Sequence, residues 1–515
     1  MKAPVPPHAS RYSLPSRRQF LARGGLAAAT VALVPARVLG RGGESAPNSR
    51  LNLAFVGVGA QGLRVMLSFL KFNDVRAVAV CDVNRESGDY PEWGRNEFRN
   101  SVRQLLGTEY ASWGEWLSTE RVIQLTRTMK VTGGTAGREP ARKIVDAYYA
   151  SQKRSGAGRS CTAYADFREL LTQEKDVDAV VVGTPDHAHA IVSVAAMKQG
   201  KHVYCQKPMT RTIHEARRMA EVARTSGRAT QVAVGNAASE ATRLLTEWIA
   251  GGAIGPVHEV VNWSSRPFWP QGLERPIETP PVPEGLEWDL WLGPSPARPY
   301  HPAYLPFIWR GWYDFGCGAI GDMGCYSFDT IFRALQLGAP ATVEASSSEL
   351  LAETYPKASL LRFAFPARGA APPVKLTWYD GGLRPARPAE LDAGQKLAEE
   401  GLLFVGEKGS ILCGFTGDNP RLIPDARMRE FQAPPKSLPR SPGHEREWLD
   451  ACRGGKTAPA ANFEFSSRVT ETILLGNVAL RTGARLEWDS AAMQAANVPA
   501  AQALIQPEYR AGWTL

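Results

Sequence analysis

The chain has 515 residues, too many for one hydrophobic core, so two folded domains with additional segments are expected. Its 44% hydrophobic and 22% charged residues are those of an ordinary soluble globular protein. The formal charge of +9 would suggest a polyanionic partner, but Lys2 and seven arginines against Glu44 put +7 of it in residues 1–50, leaving +2 for the remainder. A basic nucleic-acid-binding face is therefore not expected.

The basic segment has its own pattern. In SRRQFLARGGLAAATVALVPARVLG (16–40) a paired arginine precedes Phe-Leu and a modest Ala/Gly/Val/Leu run, which resembles a twin-arginine export signal. Gly24, Gly25, Pro35 and Arg37 make that run too short and interrupted to span a bilayer, and no later segment is long enough. Residues 1–45 are read as a leader that directs the protein out of the cytoplasm, to the periplasm or beyond, with no stable membrane span in the mature chain. The seven cysteines include no C-x-x-C, which argues against a zinc ribbon or a dense disulfide scaffold.

From residue 51 onward, LNLAFVGVGAQGLRVMLSFL (51–70) reads as an apolar strand, a glycine turn and an amphipathic helix, and VRAVAVCDVN (75–84) as the next strand. Residues 85–160 are polar, rich in Trp, Arg and Gly, and read as an insertion with one helix over 139–154. DVDAVVVGTPDHAHAIVSVAAMKQG (176–200) returns to strand, turn and helix; the strand ending in QKP, a helix over 212–227 and a strand over 229–236 follow. Strands apolar on both faces, alternating with helices, predict an α/β fold with a doubly wound parallel sheet over residues 50–250. Past 251 the strands VHEVVNWSS, TVEASSSEL, ASLLRFAFP and VKLTWYDGG alternate with period two, as in an open, mainly antiparallel sheet. Residues 266–312 carry too much Pro and Trp to be regular, 316–338 reads as a helix, and helices near 443–453 and 464–482 precede an extended tail.

Three stretches carry chemistry. Gly57-x-Gly59-x-x-Gly62 follows a strand and opens a helix, and Asp82 closes the second strand 25 residues beyond Gly57. In that setting the glycines permit a tight turn and close approach to a pyrophosphate, while Asp82 accepts ribose hydroxyls and repels a 2′-phosphate; NAD is favoured over NADP. GTPDHAHA (183–190) sits at a strand's carboxyl end, where an imidazole can line a cofactor crevice or pack at a helix start; no third cluster of ligands accompanies the H-x-H pair, so no metal is assigned. In HVYCQKPMT (202–210) a lysine stands where a strand gives out before a proline, placed either for catalysis or as a snorkelling surface charge.

Together the glycine turn, TPDHAH, QKP and the later GAIGDMGCYSFD resemble the Gfo/Idh/MocA oxidoreductases over about residues 50–515. The resemblance implies a Rossmann domain that binds NAD through Gly57, Gly59, Ala60, Gln61, Gly62, Asp82, Thr184, Pro185, His189, Gln206 and Lys207. It also implies a C-terminal α/β domain with an open sheet that makes homo-oligomers, dimers or tetramers. The family's usual tripeptide is Glu-Lys-Pro; Lys207 and Pro208 match, and Gln206 departs. Asp322 and residue 326 match the family's Asp-x-x-x-His pair, with Tyr326 in place of histidine, as in some members of the family. Catalysis is thereby assigned to Lys207, Asp322 and Tyr326, and substrate contact to Asn236, Arg310 and Trp312.

The residue chemistry agrees with that mapping without depending on it. Asp322 and Tyr326 are four apart and share one helical face. Oxidising an alcohol needs a group that takes the hydroxyl proton: Tyr326 with its pKa lowered by Lys207, or Lys207 itself. Alternatively Tyr326 is a core aromatic whose hydroxyl is satisfied by Asp322. Trp263, Trp269, Trp288, Trp291, Trp309, Trp312 and Tyr313 either stack on sugar C–H faces or bury themselves in a folded-back loop or subunit contact. The expected function is hydride transfer between a nicotinamide and a hydroxyl of a sugar, sugar derivative or cyclitol. The alternatives are an NAD-dependent glycoside-cleaving enzyme that oxidises its substrate transiently, and a non-catalytic NAD- or sugar-binding sensor. Gln206 brings no negative charge to Lys207, so Gln206→Glu should raise the lysine's pKa; an unmoved pH–rate profile in that variant would contradict this.

Overall fold

The computed structural model describes residues 50–125, 129–152 and 160–515. The leader over 1–45 lies outside the described residues, as does the end of the helix expected over 139–154. The chain divides into two units, Met1–Leu51 with Phe72–Val75, and the remainder. In the first, the Leu51 amide donates to the Asp74 carbonyl at 3.0 Å. Apart from Leu51 and Val75, the first residues of two strands, everything below concerns the second unit.

The first half contains β1 (Leu51–Val56), α1 (Ala60–Phe69), β2 (Val75–Cys81), β3 (Ser87–Glu92), α2 (Glu97–Leu106), β4 (Ser118–Gln124) and β5 (Lys130–Ala136). Next come α3 (Arg138–Ser151), β6 (Thr162–Tyr164), α4 (Phe167–Gln173), β7 (Ala179–Val182), α5 (Asp186–Lys198), β8 (His202–Cys205), α6 (Ile213–Ser226) and β9 (Thr230–Val232). Among the described residues six of these strands form one sheet in the order β6-β2-β1-β7-β8-β9, and β2 with β6, β1 with β7, β7 with β8 and β8 with β9 pair in parallel. Ala54, Phe55, Val180, Val182 and Val203 are buried, as a sheet covered on both faces by helices requires. Strand order reverses between β1 and β7, and a crevice opens there at the carboxyl ends.

The segment over 85–160 differs from its sequence reading. It holds a second helix, α2, and a three-stranded sheet in the order β3-β5-β4. The expected helix appears as α3, and it is the crossover that feeds β6 into the main sheet. Glycines and broken alternation hide these strands: Gly133 and Gly134 lie within β5, and both ladders shift register.

The second half comprises α7 (Glu240–Ala250), β10 (Val257–Trp263), α8 (Trp288–Leu292), α9 (Gly318–Leu335), β11 (Thr342–Ser347), β12 (Ser359–Phe365) and β13 (Val374–Tyr379). It continues with β14 (Gly401–Gly406), β15 (Gly409–Cys413), β16 (Arg421–Ile423), α10 (Asp425–Glu430), α11 (His444–Cys452) and α12 (Phe463–Thr482). The last elements are β17 (Leu486–Asp489), β18 (Gln494–Ala495) and α13 (Gln502–Ile505), so the C-terminal stretch is partly regular where an extended tail was expected. The nine strands of this half form one open sheet in the order β16-β15-β14-β10-β13-β12-β11-β17-β18, antiparallel except where β10 meets β13. Helices α9 and α12 cover one face, burying Phe328, Ile473 and Leu475 against Phe363, Trp378 and Phe404.

The last helices also return to the first half. Helix α6, begun by a Thr212/Glu215 capping box, packs along α12, and Arg217 bonds Glu471 at 2.7 Å. Trp448 of α11 is fully buried against the rings of Phe69 and Tyr204. These contacts fix the C-terminal half, and α9 with it, over the carboxyl ends of the parallel strands. Phe328 is buried with its ring 5.5 Å from Phe363 and 6.1 Å from Trp378. Phe328→Ala should cost about 3–5 kcal/mol in denaturant unfolding; a loss below about 1 kcal/mol would contradict this packing.

Candidate active site

The glycine turn is held from three sides. Gly57 has φ +83°, a left-handed backbone, and a Cβ there would lie 2.4 Å from the Thr184 amide nitrogen. A Cβ on Gly62 would lie 1.8 Å from the Gly57 carbonyl oxygen, so α1 can approach β1 this closely only without one. The Asp82 carboxylate accepts hydrogen bonds from the amides of Val58 and Asn84, both at 2.8 Å, and so ties the end of β2 to the turn. Burial pushes its pKa up to about 6.

These residues line one end of a cavity of about 650 Å³ that runs across the switch point. Gly57, Gly59, Ala60, Gln61 and Asp82 line that end, Thr184 and Pro185 come from the turn after β7, and Gln206 and Lys207 from the turn after β8. Asp322, Tyr326 and Arg310 line it from the C-terminal half. Of the other expected contacts, His189 is buried, its ring nitrogens 2.8 Å from the carbonyl oxygens of Thr184 and Pro208. Burial lowers its pKa to about 4, so the neutral ring donates to one of these carbonyls and braces two cavity-lining turns from behind. His187 is likewise buried, with Nε2 2.8 Å from the Trp291 carbonyl oxygen.

Asn236 and Trp312 do not line the cavity. The Asn236 side-chain amide donates to the Tyr326 carbonyl at 2.9 Å and the Thr330 hydroxyl at 3.0 Å, gripping α9 from the turn after β9. Trp312 is fully buried, its indole donates to the Ala303 carbonyl at 2.9 Å, and its ring packs on Tyr304. The tryptophan-rich loop therefore divides. Trp263 and Trp312 are core, while Trp269, Trp291 and Trp309 reach the cavity wall.

At the far end Lys207 meets α9. Its ammonium donates to the Asp322 backbone carbonyl at 2.8 Å and to Oδ1 of the same residue at 3.0 Å, and stands 5.0 Å from the Tyr326 ring centre. Arg310 donates from Nε to the same Oδ1 at 3.0 Å while lying over the rings of Phe307 and Trp309. Burial disfavours the Lys207 ammonium, but the Asp322 carboxylate beside it outweighs this and the pKa is raised. Burial likewise opposes the Asp322 carboxylate, yet Lys207 and Arg310 hold its pKa at about 2. Tyr326 is pushed up by burial even though Lys207 draws it down. In this site Lys207 is thus an ammonium and Tyr326 a phenol. The expectation of a lowered tyrosine pKa or a neutral lysine is not what the geometry gives, because Asp322 supplies the charge that Gln206 lacks. The polar side chain beside the Tyr326 hydroxyl is that of Lys207, where the alternative reading had Asp322.

Several lining residues escaped the sequence reading. Tyr90, Pro91, Trp93 and Met129 of the 85–137 region line the cavity, and Tyr90 packs on Gly59, where an added Cβ would meet its ring at 2.7 Å. Phe268, Phe307 and Trp513 join them. Their signal was faint, since each stands in an irregular or polar context with no motif around it. Asp186 also lines the cavity, from inside a motif that was read for its histidines.

Comparison with known proteins follows these two halves. Residues 129–234 match the family model described as Gfo/Idh/MocA, oxidoreductase family, NAD-binding Rossmann fold, and residues 255–352 match the corresponding C-terminal alpha/beta domain. A 1,5-anhydro-D-fructose reductase of Ensifer adhaerens is 32% identical over 36% of this chain and 44% of its own length. A levoglucosan dehydrogenase of Pseudarthrobacter phenanthrenivorans is 31% identical over 21% and 28% respectively. The chain thus spans less than half the length of these curated relatives. The fold resembles that of the WlbA dehydrogenase of Bordetella pertussis, solved with NADH and UDP-GlcNAcA, with TM-score 0.51 and 14% identity over 85% of this chain and 99% of that one. The two family models support a Gfo/Idh/MocA reading of this chain, through its NAD-binding Rossmann fold and its C-terminal α/β domain.

Proposed function

We propose that the protein is an exported NAD-dependent oxidoreductase that moves a hydride between nicotinamide and a hydroxyl-bearing carbon of a sugar, sugar derivative or cyclitol. The observation that carries the reading is the cluster of Lys207, Asp322, Arg310 and Tyr326 at the opposite end of one cavity from the glycine turn. The names of the curated relatives, an anhydrosugar reductase and a levoglucosan dehydrogenase, support a carbohydrate substrate. Export rests on the twin-arginine pattern in residues 16–40.

The residues present fit a dinucleotide. A side chain at Gly57 or Gly62 would collide with the backbone that shapes the turn, the turn faces the start of α1, and a carboxylate closes β2. Gly57, Gly59 and Gln61 would hold the pyrophosphate and Asp82 the adenosine ribose, where its charge would repel a 2′-phosphate. When bound, the nicotinamide supplies the redox chemistry. Lys207 donates hydrogen bonds from a fixed position, which suits it to hold a substrate oxygen and stabilise negative charge developing there. Asp322 and Arg310 restrict that ammonium to one place, and Tyr326 presents a neutral hydroxyl beside it. The aromatic wall of Trp93, Phe268, Trp269 and Trp309 offers flat faces to sugar C–H groups.

Two variants separate binding from turnover. Lys207→Met leaves Asp322 paired with Arg310, so the protein should stay folded and bind NADH while a panel of sugars and polyols no longer reduces NAD. Loss by about 10²-fold or more in kcat is expected, and retained turnover would overturn the assignment of Lys207. Gly57→Ala places a Cβ against the Thr184 amide. It should abolish NADH binding by fluorescence while circular dichroism is unchanged; binding at wild-type affinity would contradict the cradle. Reduced cofactor that fails to accumulate, although glycosides are cleaved, would identify the transient-oxidation alternative.

A further inference from the structure

The end of the cavity beyond Asp82 is closed by a residue from the other half of the chain. Strand β6 pairs with β2, and the Asp82 amide donates to the Tyr164 carbonyl at 3.1 Å, so the residues after β6 stand beside Asp82. There Ala165, Asp166 and Phe167 line the cavity with Val83, and Trp513, from the segment after α13, joins them. The Trp513 ring lies 6.4 Å from that of Phe167, tilted by 34°, and the Arg168 guanidinium stands 4.6 Å from the indole centre. Arg168 is held in turn by the Asp166 carboxylate, 3.0 Å from Nε and 2.6 Å from Nη2, and does not line the cavity. The guanidinium therefore backs the indole from outside, and the cavity side of the ring is left to a ligand.

The segment that carries Trp513 is pinned on both sides. The Tyr509 hydroxyl donates to Glu215 of α6 at 2.6 Å. Arg510 donates from its backbone amide to the Pro294 carbonyl at 3.0 Å, from Nε to the Gly293 carbonyl at 3.1 Å and from Nη2 to the Asp289 carbonyl at 2.8 Å, and it also pairs with the Asp289 carboxylate. The Trp513 amide then donates to the Arg510 carbonyl at 3.1 Å, closing a turn. Tyr509 and Leu515 pack on the core of the parallel sheet without reaching the cavity, whereas Trp513 does both. A dinucleotide with its pyrophosphate at the Gly57–Gly62 turn and its nicotinamide near Lys207 carries its base past Asp82, on the side away from Lys207, which is where Trp513 stands. The wall there is flat and apolar, formed by Val83, Phe167, Leu290 and Trp513, with the Asp166 charge engaged by Arg168. We propose that Trp513 is an adenine-binding residue of the site, a wall against which the base packs once Asp82 holds its ribose; this rests on the dinucleotide reading above.

The test is calorimetric titration of the full-length protein with NADH and with ADP-ribose, which carries the adenosine end of the cofactor without the nicotinamide. Trp513→Ala should weaken both ligands by the same factor, about 10- to 100-fold, because the lost contact is to the part they share. Trp513→Phe keeps a flat ring and should retain most of the affinity. Tryptophan emission gives a second readout: ADP-ribose should quench part of it in the wild type, and that part should vanish in Trp513→Phe although ADP-ribose still binds. This second readout decides the matter if Trp513→Ala does not fold. Unchanged ADP-ribose affinity in folded Trp513→Ala, a loss confined to NADH, or a quench that persists in Trp513→Phe would each overturn the role of Trp513 alone, with the oxidoreductase reading intact. Wild-type protein that binds neither NADH nor ADP-ribose would overturn that reading and this proposal with it.

Discussion

The hydrogen-bonded ion pair between Lys207 and Asp322 is the constraint around which the rest of the site is arranged. It joins the end of β8 in the parallel sheet to α9 in the C-terminal half, and both side chains are nearly buried, 12% and 11% exposed. A pair this far from water holds only with geometry that satisfies both partners. Here the ammonium has two acceptors on one residue and the carboxylate oxygen has two cationic donors. Removing Asp322 would strand two cations, at a cost of about 3–5 kcal/mol for a buried pair, whereas removing Lys207 leaves Asp322 with Arg310. This asymmetry makes the lysine the informative position for chemistry and the aspartate the position on which its placement depends.

The surroundings serve that pair. Asn236 anchors α9 through the Tyr326 carbonyl, His189 sits between the two turns that bring Thr184 and Lys207 to the cavity, and α12 locks α9 to the open sheet while touching α6. Two residues expected to touch substrate or cofactor thus act instead on the elements that carry the contacts. A side chain's direction depends on which backbone group it finds to bond, and for both residues that group is a carbonyl of a neighbouring element.

Much of the fold was legible because it rests on periodicity. Apolar strands alternating with helices specify a parallel sheet, and period-two strands after 251 specify an open antiparallel one. What stayed hidden has physical reasons. The strands β3 to β5 are short, glycine-bearing and bulged, so no alternation marks them. Strands β14 and β15 are buried on nearly every residue, which removes the alternation that exposed β11 to β13. In the site, the glycine turn, Asp82, Lys207 and the Asp322/Tyr326 spacing were visible as motifs tied to local geometry. Tyr90, Trp93, Phe307 and Trp513 were not, since their roles arise only when distant segments converge on one cavity. The ionisation states were invisible for the same reason: the charge that keeps Lys207 protonated comes from a residue 115 positions away.

The central claim is that one cavity holds a dinucleotide from the glycine turn to the Lys207–Asp322 pair. A crystal structure of the protein with NADH and a bound polyol tests this most directly. The account predicts the pyrophosphate at the Gly57–Gly62 turn, the adenosine ribose at Asp82, and the nicotinamide beside Lys207 with the polyol oxygen within hydrogen-bond reach of its ammonium. A cofactor seated elsewhere, or a nicotinamide end remote from Lys207 and Asp322, would contradict it.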